Sequence, residues 1–269
     1  MTTIPKPFCC ISPTLAAPLH RLVTVAVAMF VMASVSGCGV LSHGFRGSSG
    51  SDLLAADESL VVSNSRGPSQ LAPRSVRVLP KPEFGVTPEV QAELNRFMTA
   101  ERQTVIRVLD ENSHRYQKTK EVFEGQGVPA ELLSVAAVES GFNPQAHSPA
   151  GARGMWQFMK STARIYGLKV GLTKDERLDP DLSSVAAAKH LRDLFNSFND
   201  WHLALAAYNA GSGAVNRVIS AKGERDFWGL SRQGALPRET RNFVPRVIAL
   251  SLIFKDPSRY GFSEIKAIG

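Results

Sequence analysis

From Thr87 onward apolar residues recur at helical spacing, and almost no stretch alternates as a strand would. Thr87-Pro88-Glu89 has the form of an N-cap, a proline at the first helical position and an acid in the first turn. Val90, Leu94, Phe97, Val105 and Val108 then mark one or two amphipathic helices running toward Tyr116 and Phe123, closed by Gly125 and Gly127. Pro129 opens the next helix. Leu132, Val135, Ala136 and Glu139 follow at the i, i+3, i+4, i+7 positions of one face, with Leu133, Ala137 and Val138 flanking it, which predicts a helix buried nearly all round. Ser161-Thr162 begins a short helix ending at Gly167. The loop carrying Asp175, Glu176, Arg177 and Asp179 is expected to be solvated or internally paired. A helix from about Asp181 carries Val185, Ala188, Leu191, Leu194, Phe195 and Phe198 on its core face. Trp201, Leu203, Leu205 and Tyr208 lie on a further helix broken by Asn209 and Gly211, and Val215, Val218 and Ile219 on another. Pro237 to Thr240 opens the last long helix, which Pro245 should kink or truly start. The pattern predicts an all-α domain of roughly seven to nine helices over residues 87–269.

Upstream the pattern changes. Residues 1–37 combine a long basic segment with Lys6 and Arg21, an apolar run from Leu22 to Ala33 and then small residues, the form of an export signal. The run is too short and wrongly flanked for a stable membrane span. Val35-Ser36-Gly37-Cys38 resembles the lipobox of bacterial lipoproteins, which implies cleavage before Cys38 and its acylation. A plain secretory signal followed by an incidental cysteine is the alternative. Gly39, where an aspartate would retain a lipoprotein at the inner membrane, favours by analogy the periplasmic side of a Gram-negative outer membrane. Residues 38–86 are rich in Ser, Gly, Pro and Arg without sustained periodicity, the composition of a tether.

With 43% hydrophobic and 20% charged residues in 269, the chain has enough apolar material for one well-buried domain with an appendage. Its net charge of +7 suits a polyanionic partner such as an anionic lipid surface or the acidic peptides of a cell wall. Nothing matches a nucleic-acid module, so no nucleic acid is expected. The three cysteines, Cys9, Cys10 and Cys38, cannot staple the helical domain, and the scattered histidines form no zinc-binding spacing. No metal or cofactor is expected.

Glu139 is the chemically informative residue. A carboxyl at the last turn of a buried helix loses solvation, which raises its pKa and lets it hold a proton near neutral pH for general-acid catalysis. Periodicity alone leaves open a solvated surface charge. The punctuated loop after Gly141 leads into Met155-Trp156-Gln157-Phe158-Met159, and aromatics and amides beside a lone acid suit a sugar.

Four segments in order, E-S-G-F-N-P from Glu139, S-P-A-G-A-R-G-M-W-Q-F-M from Ser148, A-A-Y-N-A-G from Ala206 and L-P-R-E-T from Leu236, resemble the lytic transglycosylases, in particular their membrane-bound type D branch. The resemblance implies a lysozyme-like helical catalytic domain that cleaves the β-1,4 bond between MurNAc and GlcNAc of peptidoglycan without water, leaving 1,6-anhydromuramic acid ends. It implies Glu139 as acid and then base. It also implies that Ser148, Gln157, Met159, Tyr208 and Glu239 line the substrate cleft, with Tyr208 near the reacting acetamido group. The implied partners are peptidoglycan strands and, through Cys38, a membrane; protein partners stay open. Lys160 and Phe243 stand where relatives commonly have proline and tyrosine, and the latter change removes one hydrogen bond from the cleft.

Two alternatives carry different chemistry. A goose-type lysozyme hydrolase would need a carboxylate to hold water, for which Asp175, Asp193 and Asp200 are candidates. A glycan-binding lipoprotein without turnover would have no need of a desolvated acid.

Overall fold

The computed structural model describes residues 76–265, so the leader, Cys38 and most of the tether lie outside the described residues. Nine α-helices occur among the described residues, with isolated bridges but no named strand. Helix α1 spans Pro88–Met98 and α2 Arg102–Gly125; the Thr87 side chain accepts from Val90 N, as the local sequence predicts. A 3-10 turn, Ala130–Leu133, leads into α3, Ser134–Ser140. Its first turn is tighter than one continuous α-helix because Pro129 is extended at ψ 134 and supplies no donor.

Acidic caps fix the next starts. Asp179 accepts from Asp181 N and Leu182 N to open α5, Pro180–Phe198. Asp200 accepts from Leu203 N to open α6, Trp201–Ala210, and Asp226 from Gly229 N to open α8, Phe227–Arg232. Between these lie α4, Lys160–Ile165, and α7, Ser212–Lys222. Helix α4 starts after Met159 without a side-chain cap, one residue before the predicted Ser161.

Helix α9, Arg238–Lys255, is the spine: it packs against α1, α3 and α6 and buries Val244, Val247, Ile248 and Ile253 completely. It begins at Arg238 and continues through Pro245, so Pro245 does not mark its start. An internal proline costs about 3 kcal/mol, but each buried aliphatic side chain around it contributes roughly 1.5–3 kcal/mol, enough to hold the helix together. Helices α5 and α6 pack closely through buried alanines, among them Ala186, Ala187, Ala204 and Ala207.

One expectation is corrected. Residues 76–86, assigned by composition to the tether, lie against the helical body. Leu79 is 3% exposed and its N–H donates to Gly127 O at 2.9 Å. Trp201 Nε1 donates to Pro80 O and Arg192 Nη1 to Arg77 O, both at 2.9 Å. A proline-rich extended segment makes no internal hydrogen bonds, so its carbonyls are available to donors on the body.

Candidate active site

Helix α3 delivers Glu139 to a cleft and stops there, because Gly141 takes the left-handed conformation at φ 60 and its N–H caps the Ala137 carbonyl. The same cleft is lined by Ser148, Gln157, Met159, Tyr208 and Glu239, so all six cleft residues singled out in the sequence converge. Asn209 and His190 join them. Burial, with a second push from the Glu239 carboxylate, raises Glu139 from 4.5 to about 8. At neutral pH the carboxyl therefore holds its proton while one edge stays open to the cleft.

Glu239 comes from the first turn of α9, where a helix N-terminus favours its negative charge. Asn209 Nδ2 donates to Glu239 Oε1 at 3.3 Å and Asn209 Oδ1 accepts from Thr240 Oγ1 at 2.8 Å. Asn209 thus ties α6 to α9, and it lies inside α6, although its place before Gly211 suggests a break there. Tyr208 donates its hydroxyl to Trp156 O at 2.8 Å. Trp156 itself is fully buried, stacked on Phe123 and bonded through Nε1 to Ser184 Oγ at 3.1 Å; it and Phe158 are core side chains bordering the cleft.

The cleft loop is held from two sides. On one, Ser140 Oγ, next to the acid, donates to Met155 O at 2.7 Å. On the other, Arg177 is 5% exposed and its Nη1 donates to Gly151 O at 2.9 Å and Phe158 O at 3.0 Å, while Asp175 accepts from its Nε and Nη2. Within the 175–179 loop Asp175 and Arg177 pair with each other as expected and Asp179 is exposed, but Arg177 and Glu176 are buried rather than solvated, Glu176 pairing with Lys174. Gly154, at φ 80, lies against the Arg177 carbonyl, where a Cβ would collide with backbone. Gln157 also has positive φ, 48, and its Nε2 donates to Gly154 O at 2.7 Å. Its amide donors are thereby turned into the loop, leaving its carbonyl oxygen for the cleft. Ser148 Oγ accepts from Ala150 N at 3.2 Å, which leaves its O–H free to donate.

The aspartates considered as hydrolytic partners do not line the cleft: Asp175 pairs with Arg177, Asp200 caps α6 and Asp193 is exposed on α5. No group of three His, Cys, Asp or Glu side chains among the described residues is placed to hold a metal ion. The residues that sequence pattern missed are Ser140, Arg177 and His190. His190 had a faint signal, standing three and four positions after Ala187 and Ala186 on the small-residue face of α5.

Residues 119–231 match the family model described as Transglycosylase SLT domain. Over 141 residues, 51% of this chain, the sequence is 43% identical to the membrane-bound lytic murein transglycosylase D of Escherichia coli strain K12. The match spans 30% of that relative's length. Over 115 residues, 41% of this chain and 9% of the other, it is 42% identical to the peptidoglycan transglycosylase gp16 of Escherichia phage T7. Among solved structures, the 70 kDa soluble lytic transglycosylase of Escherichia coli aligns at a TM-score of 0.47 and 19% identity, covering 71% of this chain and 39% of that chain.

Proposed function

We propose, from the transglycosylase SLT domain carried by residues 119–231, that this protein is a lytic transglycosylase acting on peptidoglycan. The observation that carries this is Glu139, a carboxyl whose pKa burial raises to about 8, at a cleft also lined by Ser148, Gln157, Met159, Tyr208 and Glu239.

In the proposed reaction Glu139 donates its proton to the glycosidic oxygen as the bond to the MurNAc anomeric carbon breaks. The neighbouring acetamido oxygen closes on that carbon. The C6 hydroxyl of the same sugar then attacks it, displacing the acetamido oxygen, and gives its proton to the Glu139 carboxylate. The enzyme is restored, no water is consumed and the product ends in 1,6-anhydromuramic acid. A tethered nucleophile gains an effective molarity that stands in for a second catalytic carboxylate. Glu239 transfers no proton in this scheme. Its negative charge disfavours ionisation of Glu139 and keeps the acid loaded. Ser148 offers a hydroxyl donor, Gln157 a carbonyl acceptor and Met159 an apolar wall to the sugar.

The anchor belongs to the same proposal. Cys38 is acylated after removal of residues 1–37, and the chain is held on the periplasmic side of the outer membrane. The V-S-G-C sequence with its preceding apolar run supports this, as does the name of the Escherichia coli relative, which calls that protein membrane-bound. Several acyl chains anchor stably because each buried methylene contributes about 0.8 kcal/mol.

Mass analysis of fragments released from purified sacculi tests the function. Anhydro ends are the expected outcome. Reducing ends would replace the transglycosylase with a hydrolase, and no release at all would leave a glycan-binding lipoprotein.

A further inference from the structure

His190 projects from α5 into the cleft, its ring between two tyrosines: Tyr166 at 4.8 Å and Tyr208 at 5.2 Å between ring centroids. None of the motifs that define the site contains it. Its Nδ1 lies 3.0 Å from the Tyr166 hydroxyl, and burial with the nearby negative charge of Asp193 pushes that hydroxyl up to about 12.

Tyr166 has one hydroxyl proton, and the negative charge of Asp193 draws it away from the ring. In the tautomer that answers this, the Tyr166 oxygen accepts from Nδ1–H and the neutral ring keeps its other nitrogen bare. Burial lowers the His190 pKa from 6.5 to about 4, consistent with a neutral ring. Nε2 makes no bond within the described protein. The buried side-chain polar atoms without a partner, among the described residues, are Glu89 Oε2 and Arg192 Nη2, so Nε2 opens to the cleft.

We propose that His190 is a substrate-recognising residue whose Nε2, left bare by donation of Nδ1–H to the Tyr166 oxygen, takes a hydrogen bond from a hydroxyl or acetamido N–H of the glycan. This rests on the proposed action on peptidoglycan. A neutral acceptor complements the rest of the cleft, where protonated Glu139 and Ser148 are donors and Glu239 is a charged acceptor already engaged with Asn209. Unlike a carboxylate it can sit close to Glu139 without raising the acid further. A sugar that presents a hydroxyl or amide there satisfies Nε2, whereas one lacking that group leaves it desolvated and unpaired.

Two measurements on the full-length protein test this. The first is nitrogen NMR of the histidine side chains, with His190→Phe assigning the signal and tetra-N-acetylchitotetraose as probe. Nε2 should show the signature of an unprotonated acceptor and shift when the probe is added. Tyr166→Phe, which keeps His190 but removes its hydroxyl partner, should mix the two tautomers. The second is kinetics on isolated glycan strands. His190→Phe should raise KM by roughly 3- to 10-fold, the worth of one hydrogen bond, and by more than it lowers kcat, with His190→Gln recovering part of the loss. A proton on Nε2 in the free parental protein, or an Nε2 signal unmoved by the probe while the parental enzyme cleaves strands, overturns the proposal. So does an unchanged KM in His190→Phe. A parental protein that neither cleaves strands nor binds the probe overturns the transglycosylase reading itself and this inference with it, an outcome separated from the others because it needs no variant.

Discussion

The Tyr208 hydroxyl is bonded to the backbone carbonyl of Trp156, joining α6 to the cleft loop one residue before the left-handed Gln157. The single phenolic proton is spent on that carbonyl, so the hydroxyl reaches substrate only through its lone pairs or by turning. Burial and the nearby Glu139 carboxyl raise the Tyr208 pKa well above its usual value, so the phenol stays protonated.

Tyr208→Phe removes the donor and leaves the Trp156 carbonyl without its partner. Thermal unfolding should show a loss of about 1–2 kcal/mol. Turnover should fall by more than KM rises, since a loosened loop misplaces groups that act in the transition state. Parental turnover with lowered stability would make Tyr208 a residue that only holds the fold.

Helix existence was legible where a helix states its start or its buried face locally. Thr87-Pro88 and Asp179-Pro180 set two starts, and the Leu191, Leu194, Phe195, Phe198 stripe on α5 is buried as its spacing demands. The cleft residues were legible for another reason: their motifs have an order and spacing that a family resemblance carries. Ser140, Arg177 and His190 were not, because each acts through a partner 15 to 26 residues away. A contact of that kind leaves no period in the sequence. Residues 76–86 escaped for a related reason, since much of their docking runs through backbone carbonyls, and the side chains that help, Leu79 and Phe84, stand too far apart to set a period.

Arg177 is the strut that fixes the cleft loop, and it is charged, buried and paired. Its hydrogen bonds to Asp175 hold that carboxyl below its usual 3.8. Arg177→Met should cost about 3–5 kcal/mol, because the Asp175 carboxylate and the Gly151 and Phe158 carbonyls lose their donor together. Adding Asp175→Leu should recover part of this loss in urea unfolding. If the double variant is no more stable than the single one, the cost comes from the carbonyls and not from the stranded charge.

Cys38→Ala should move the protein from the membrane fraction to the soluble periplasmic fraction without changing the activity of the helical domain. Fractionation and mass measurement of the mature N-terminus check this. An unacylated chain, or one beginning elsewhere than residue 38, refutes the anchor.

Glu139→Gln separates chemistry from electrostatics in one variant. Gln keeps the shape and hydrogen bonding of the protonated acid but has no proton to transfer. Release of anhydro ends should therefore fall by roughly 10² to 10⁴, or further because one group serves both steps, while glycan binding persists. In the parental enzyme cleavage should decline as pH rises through about 8, where the acid unloads. Stability provides an independent check. The unfolded chain ionises this carboxyl near 4.5 and the folded chain only near 8, so the fold withholds a favourable ionisation throughout that window. Parental stability contributed by this group is thus intact below about pH 4.5 and erodes as pH rises toward 8. Removing the titrating group should leave stability nearly equal at pH 4 and make Glu139→Gln the more stable protein at pH 8, by something on the order of 2–4 kcal/mol. Equal stability of the two proteins at both pH values would mean that Glu139 ionises freely, and an acid that ionises freely could not be the proton donor at neutral pH.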